Sequence, residues 1–343
     1  MAHAPILPFI ILLAILCTLA VPVHAATNST FERIVTDDTG TTVTIHGEPQ
    51  RIVSLSPANT EILFALGLGD RVVGVTDYCN YPAEAKTKPV IGGYSTVSIE
   101  KVLAQKPDLV VASYGNGIDV VRQLKALNVT VVTLNPANVN GILDDITMVG
   151  TATGADHNAT AIVESLQTRI DVIKKNASSL TTRPKVAHII WNDPLYVSGN
   201  GTFQDELITM AGGVNAFADK PGWTTVGVEE FITANPDILI VNSGTGMGGS
   251  EDSIALALEN KTRFANVAAI KNHRVYVIDS DTVDRAGPRI VDALEAFAAD
   301  IHPAGSATPP ATSAQSAPGF GFMPALGAWA LAVGIVIATR RMK

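Results

Sequence analysis

Two patterns of apolar residues recur along the chain. Short runs of Val, Ile, Leu and Ala, such as Leu109–Ala112 and Ile238–Val241, stand between Pro-Asp pairs and polar or Gly-rich stretches. Such runs predict strands covered on both faces, as in a parallel sheet. Elsewhere the apolar spacing is helical: Ala161, Ile162, Leu166, Ile170 and Ile173 recur within Asn158–Asn176, with Glu164, Arg169, Asp171 and Lys174 between them. The first pattern is duplicated. Ser98–Ser113 aligns without gaps on Gly227–Asn242 at an offset of 129, placing Glu100 on Glu229, Pro107 on Pro236 and Asp108 on Asp237. Each copy predicts a short helix with an acid in its first turn, stopped by Pro, then a buried strand running into a Gly-rich loop, Tyr114–Gly117 or Gly244–Gly249. The lead-ins repeat more loosely. Arg51–Leu55 and Lys185–Ile190 read as strands after a basic residue, and Glu61–Gly69 and Glu206–Gly213 as helices ending in Gly.

The fold class expected is therefore α/β, with two parallel-sheet βα lobes joined by a single long helix and a ligand cleft between them. The N-terminal lobe is placed at 27–140, opening with a hairpin of Arg33–Thr36 and Thr42–Ile45 around Asp37-Asp38-Thr39-Gly40. The connecting helix is placed in 141–178 and the C-terminal lobe at 179–302. One stiff connector permits a small hinge and no wide swing.

The two ends read differently from this body. Residues 4–23 are apolar and uncharged, and Val23-His24-Ala25 supplies a small-x-small cleavage site, so 1–26 is expected to be a secretory signal peptide. The n-region offers only His3 as a basic group; the other reading, an uncleaved anchor, is opposed by Pro5, Pro8 and Pro22. Residues 303–318 are Ala, Ser, Thr, Pro and Gly with one Gln, a composition that forms an extended stalk. Phe320–Thr339 is uncharged and long enough to span a bilayer, and Arg340, Arg341 and Lys343 behind it place the tail inside and the body outside. The order Pro318-Gly319-Phe320, apolar span and basic tail within 319–343 resembles the archaeal sorting signal whose span is cut off and replaced by a lipid. Either outcome tethers the body on the outer face of the membrane. Six N-x-[ST] sequons, at Asn28, Asn128, Asn158, Asn176, Asn200 and Asn260, agree with a glycosylated exterior surface.

Composition narrows the function. The chain has 343 residues, 24 Lys+Arg and 32 Asp+Glu, for a net charge of -8, and the acids all lie between the two ends. That balance excludes a phosphate-backbone partner, which requires a basic surface. Two cysteines build no disulfide framework, and Cys79 reads as a small buried apolar residue. G-x-S-x-G, H-E-x-x-H and Cys-x-x-Cys are absent, and the mature histidines are scattered, which leaves neither a nucleophile–base pair nor a transition-metal site. Gly244-x-Gly246-x-x-Gly249 fits the dinucleotide pattern, but Ser250-Glu251-Asp252 would put two carboxylates where a pyrophosphate sits. A loop opening on the interlobe cleft is the better reading. Aromatics make up only 6% of the chain, yet Tyr78, Tyr81, Tyr94, Trp191, Tyr196 and Trp223 all fall in or near loops that follow strands. In open α/β sheets those loops line the ligand crevice, so a flat apolar binding surface is expected.

Arg51-Ile-Val-Ser-Leu-Ser-Pro-Ala-Asn-Thr-Glu61, Asp77-Tyr-Cys-Asn-Tyr-Pro82, Ile99–Leu109 and Arg285-Ala-Gly-Pro-Arg289 resemble, in order and across both lobes, the substrate-binding proteins of ABC importers for vitamin B12 and ferric complexes. The resemblance implies a binding protein, not an enzyme, without a resident cofactor or metal. It implies a ligand held between the lobes by Tyr78, Tyr94, Trp191, Tyr196 and Trp223, with Arg285 from the last loop. It also implies that Glu100 and Glu229 present carboxylates to arginines of the membrane permease. By itself, an acid in a helix's first turn is favoured by about 0.3–1 kcal/mol through the helix dipole and needs no partner. The mostly aromatic site fits a corrinoid better than an anionic ferric complex, with haem also open; an exported enzyme and a surface adhesin are the readings from other classes. A tethered monomer is the simplest partner for a two-fold permease.

Overall fold

The computed structural model describes residues 31–243 and 253–303. The expected signal peptide, the loop Gly244–Gly249, most of the expected stalk and the expected C-terminal span lie outside the described residues, as does the sequon at Asn28. The expected hairpin is present as β1 (Glu32–Thr36) and β2 (Thr42–His46). Asp37 closes its turn: its Oδ1 accepts from the backbone N–H of Thr39 and Thr41, and Gly40 takes the left-handed conformation the turn requires (φ 75°). Then follow β3 (Ile52–Ser54), α1 (Pro57–Ala65), β4 (Val72–Gly74), α2 (Ile99–Ala104), β5 (Leu109–Ser113), α3 (Ile118–Ala126) and β6 (Val131–Leu134). The four strands β3 to β6 form a wholly parallel sheet in the order β4-β3-β5-β6. Alternation explains the uninterrupted apolar runs: Leu109 and Val111 enter one core, Val110 and Ala112 the core on the opposite face.

Residues 141–178 hold two helices where the sequence suggests one. α4 (Val139–Thr153) ends at Gly154, and α5 (Asp156–Ser178) folds back against it. The two approach so closely at Gly150 that a Cβ there would lie 2.4 Å from the Ala159 Cβ. α5 contains the expected Asn158–Asn176 stretch and buries Leu166, Ile170 and Ile173, but leaves Ala161 exposed.

The second lobe comprises β7 (Lys185–Asn192), β8 (Leu195–Ser198), α6 (Phe203–Met210), β9 (Val214–Asn215), β10 (Trp223–Thr225), α7 (Val228–Ala234), β11 (Ile238–Asn242), α8 (Ser253–Glu259), α9 (Ala268–Lys271), β12 (Val275–Ile278), α10 (Ser280–Val283) and α11 (Ile290–Ile301). Its sheet runs β10-β8-β7-β11-β12, with β9 also on β7. β9, β7, β11 and β12 are parallel as expected, whereas β8 and β10 are antiparallel additions. Only the two residues Asp193 and Pro194 join β7 to β8; so short a link can reverse the chain but cannot make a parallel crossover.

The duplication is structural as well as sequential: α2 and β5 map onto α7 and β11 at the offset of 129. The repeated Asp is a strand tie. Asp108 accepts from the backbone N–H of Gln50 and Arg51, and Asp237 accepts from that of Lys185. The basic residue before each strand answers by donating to an equivalent helix end, Arg51 to the Gln105 carbonyl and Lys185 to that of Ala234. The residue before each Pro, Lys106 or Asn235, is left-handed in both copies. One apolar core runs through both lobes, taking in Ile52 and Val111 of the first, Ile170 of α5, and Ile238 and Phe297 of the second.

Candidate functional site

The parallel strands of each lobe deliver their C-terminal ends to one edge. On the first lobe, Asn116 organises that edge from the loop after β5. Its Nδ2 donates to the carbonyls of Leu55 (2.7 Å) and Tyr94 (2.7 Å), and its Oδ1 accepts from the Ser113 N–H. Tyr94 is seated on the end of β5, its hydroxyl 3.0 Å from Ser113 Oγ. The backbone at Gly115 runs directly beneath that hydroxyl; a Cβ there would lie on top of it. Tyr78, in the loop after β4, is 44% exposed. Cys79 beside it is buried against the hydroxyls of Thr60 and Thr76, and burial pushes its thiol up, so it is protonated and inert.

On the second lobe the rings lie on the antiparallel ribbon. Trp191, at the end of β7, donates its indole N–H to the Asp193 carbonyl. In the register of β8 and β10, Trp223 faces Ser198 and Thr225 faces Tyr196, so Tyr196 and Trp223 are diagonal neighbours on one face. Trp223 is 48% exposed, and Trp191 and Tyr196 are half-buried.

The two edges are fastened together by buried charge. Arg285, 6% exposed, donates to Glu61 Oε1 (2.9 Å), Asn80 Oδ1 (2.8 Å) and the Tyr78 carbonyl (3.3 Å), and pairs with Asp281 Oδ1 at 2.7 Å. Arg289 grips the same Glu61 with two nitrogens (2.9 and 2.7 Å) and stacks on the Tyr81 ring at 4.2 Å. Asn80 also donates to Asp281 Oδ2. A guanidinium taken out of water must be matched by carboxylate and carbonyl oxygens; Arg285, expected at the ligand, finds them across the lobes, and only its Nε is left without a hydrogen-bond partner. Three of the motifs that carry the family resemblance meet in this clamp, contributing Glu61, Asn80, Arg285 and Arg289. The clue in the sequence was Glu61, the one charge inside the apolar helix α1.

Of the other expected site residues, Tyr78 and Tyr94 lie in the loop after β4 and Trp191, Tyr196 and Trp223 on the antiparallel ribbon, all exposed or half-buried. Glu100 and Glu229 lie exposed in the first turns of α2 and α7. Two cavities lie elsewhere. One of about 310 Å³ sits behind the clamp, against Phe64, Tyr81, Leu166 and Arg169; another of about 240 Å³ opens on the flank beside Tyr114, Ile118 and Val121. None of the five rings lines either. Among the described residues no three His, Cys, Asp or Glu side chains gather to hold a metal ion. His188 is buried, and burial drags its pKa down to about 4, so its imidazole is neutral. These edges carry exposed and half-buried rings, and Arg285 and Arg289 beside them are ion-paired to Glu61.

Three comparisons bear on this geometry. The family model described as "Periplasmic binding protein" matches residues 52–282. An ABC transporter substrate-binding lipoprotein of Bacillus subtilis (strain 168), YvrC, is 36% identical over 280 residues, 80% of this chain and 86% of that protein. Among solved structures, the periplasmic heme-binding protein RhuT from Roseiflexus sp. RS-1 superposes with a TM-score of 0.65 at 30% identity, covering 75% of this chain and all of that one. The periplasmic vitamin B12-binding protein BtuF of Vibrio cholerae gives 0.64 at 25% identity, covering 74% and 96%.

Proposed function

The chain belongs to the periplasmic binding protein family, as a substrate-binding protein of an ABC importer, and from that premise we propose that it captures a corrinoid outside the membrane and delivers it to the importer's permease. The observation that carries the ligand class is the clamp. Arg285 and Arg289, the cations of the clamp, are both committed to Glu61 and its neighbours. What remains for the guest is a set of rings from both lobes, which suits a broad, partly apolar macrocycle better than an anionic catecholate or hydroxamate complex. Haem shares that flat face and is the second reading, favoured by the likeness to RhuT. Titrating the purified chain with cyanocobalamin, haemin and a ferric hydroxamate, read by tryptophan quenching, decides between them. The corrinoid is expected to bind at micromolar concentration or below. Tighter binding of haemin moves the assignment to haem, and binding of the hydroxamate alone overturns the ring argument.

Delivery is assigned to Glu100 and Glu229. They occupy equivalent positions on the two lobes, and the Glu100 carboxyl is held below its usual range by its own backbone N–H and the Ser98 hydroxyl, so it is charged at any physiological pH. Exposed ion pairs add little affinity and act on encounter and register. Reversing both charges, Glu100→Arg with Glu229→Arg, is expected to abolish uptake in cells while leaving ligand affinity unchanged; undiminished uptake removes the glutamates from the docking role.

The tether follows from the sequence after Pro303, whose expected membrane span lies outside the described residues; no described helix is long and apolar enough to cross a membrane. The five described sequon asparagines are all exposed, as glycan attachment requires. Among them Asn158 alone donates its amide nitrogen within the protein, to the Leu66 carbonyl behind α1.

A further inference from the structure

Trp223 is fastened from below by a side chain that no motif singles out. Its indole N–H donates to Oε1 of Gln204 at 3.1 Å. Gln204 is fully buried near the start of α6, and its Nε2 donates to the Val283 carbonyl (3.0 Å) and to Asp284 Oδ1 (2.9 Å). With both amide hydrogens facing acceptors, the amide has only one sensible orientation. Flipping it would set its oxygen against a carbonyl and a carboxylate, and its NH2 against an indole N–H.

The partners behind Gln204 close into a ring that enforces this choice. Asp284 Oδ2 accepts from Asn242 Nδ2 (2.7 Å), which leaves Asn242 Oδ1 as an acceptor toward His188 Nε2 (2.9 Å). The neutral His188 therefore carries its hydrogen on Nε2 and accepts on Nδ1 from the Ser198 hydroxyl, 2.9 Å away. Ser198 has one hydrogen to give, and Gln204 Oε1 is more distant from it at 3.5 Å. The Gln204 oxygen is thus kept for Trp223.

The same segment reaches the opposite lobe. Val283 and Asp284 hold Gln204, and the next residue, Arg285, holds the Tyr78 carbonyl and Asn80. The Trp223 ring of one lobe and the Tyr78 backbone of the other are therefore tied to three consecutive residues. We propose that Gln204 is the positioning residue of the ligand cleft: it orients Trp223 and, through Asp284 and Arg285, sets that ring in register with Tyr78. The inference rests on the reading that Trp223 touches the guest, and it adds the side chain that makes its ring a preformed surface.

The test uses the whole chain labelled with 15N-tryptophan, in which the Trp223 indole signal is identified by its loss in Trp223→Phe. In Gln204→Leu that signal is expected to shift and its hydrogen to exchange at least about tenfold faster, with affinity for cyanocobalamin or haemin falling about tenfold. The Trp191 indole, bonded to the Asp193 carbonyl, serves as the folding control and is expected to keep its signal in Gln204→Leu. An unshifted Trp223 signal in Gln204→Leu overturns the inference, and so does a shifted signal with unchanged affinity in a protein that binds either probe. A wild-type chain that binds neither probe overturns the functional reading instead, while the indole signal still judges the hold on Trp223.

Discussion

Asp145→Asn is expected to stabilise the folded chain at pH 7 by about 2–4 kcal/mol. Asp145 lies on α4, is 1% exposed, and is buried beside the Asp38 carboxylate. Burial, reinforced by the neighbouring Asp38 carboxylate, pushes its pKa up to about 9. In the unfolded chain the same group ionises near 3.8. The folded protein therefore binds a proton that the unfolded chain releases at neutral pH, and each pH unit above the unfolded value removes about 1.4 kcal/mol from stability until the folded pKa is reached. The upper figure is that slope carried to pH 7, and the lower allows for water penetration. An asparagine has nearly the same shape and does not titrate. Its advantage is absent below pH 3.8 and grows through neutrality. Urea unfolding of both proteins at pH 4 and pH 7 checks this: near-equal midpoints at pH 4 and a clear gain at pH 7 are expected, and equal midpoints at both values would contradict it.

The second large effect is at the clamp. Glu61→Ala removes the one carboxylate shared by Arg285 and Arg289 and leaves the buried Arg285 with Asp281 as its remaining carboxylate and Arg289 with the more distant, exposed Asp279. Breaking a buried pair from one side costs about 3–5 kcal/mol, because the stranded charge stays out of water. Removing the charges together is gentler. Glu61→Leu combined with Arg289→Met, which leaves Asp281 to neutralise Arg285, is expected to lose less than Glu61→Ala. Denaturant midpoints of the two variants measure the difference. A loss under about 1 kcal/mol for Glu61→Ala would mean the lobes are held by their apolar core and the clamp adds nothing.

Legibility in the sequence followed the range of the interactions. The duplicated helix–strand unit was readable because its signals are local: a first-turn acid, a Pro stop, an apolar run and a strand-tying Asp, all within sixteen residues at one offset. The antiparallel ribbon was not, because β8 and β10 fall outside the duplicated windows and depend on a two-residue turn. α4 was absorbed into the connector because Gly141, Gly150 and several threonines weaken its helical signal, and packing on α5 and β1 makes up for it. The five expected rings stand where their places after strands put them, exposed or half-buried. The partners of Arg285 were not legible because Glu61 and Asn80 lie more than 200 residues away in the chain. Gln204 gave no signal at all; a buried glutamine shows its purpose only once the atoms it touches are known.

The central claim is that rings from both lobes grip one guest. Calorimetric titration of the wild type, Tyr78→Ala and Trp223→Ala with whichever of cyanocobalamin and haemin the wild type binds more tightly tests it directly. The expected result is one ligand per chain, with each single substitution, on either lobe, weakening binding about tenfold or more. Wild-type binding that survives unchanged in either variant would mean the guest sits on one lobe or elsewhere, and would contradict the claim.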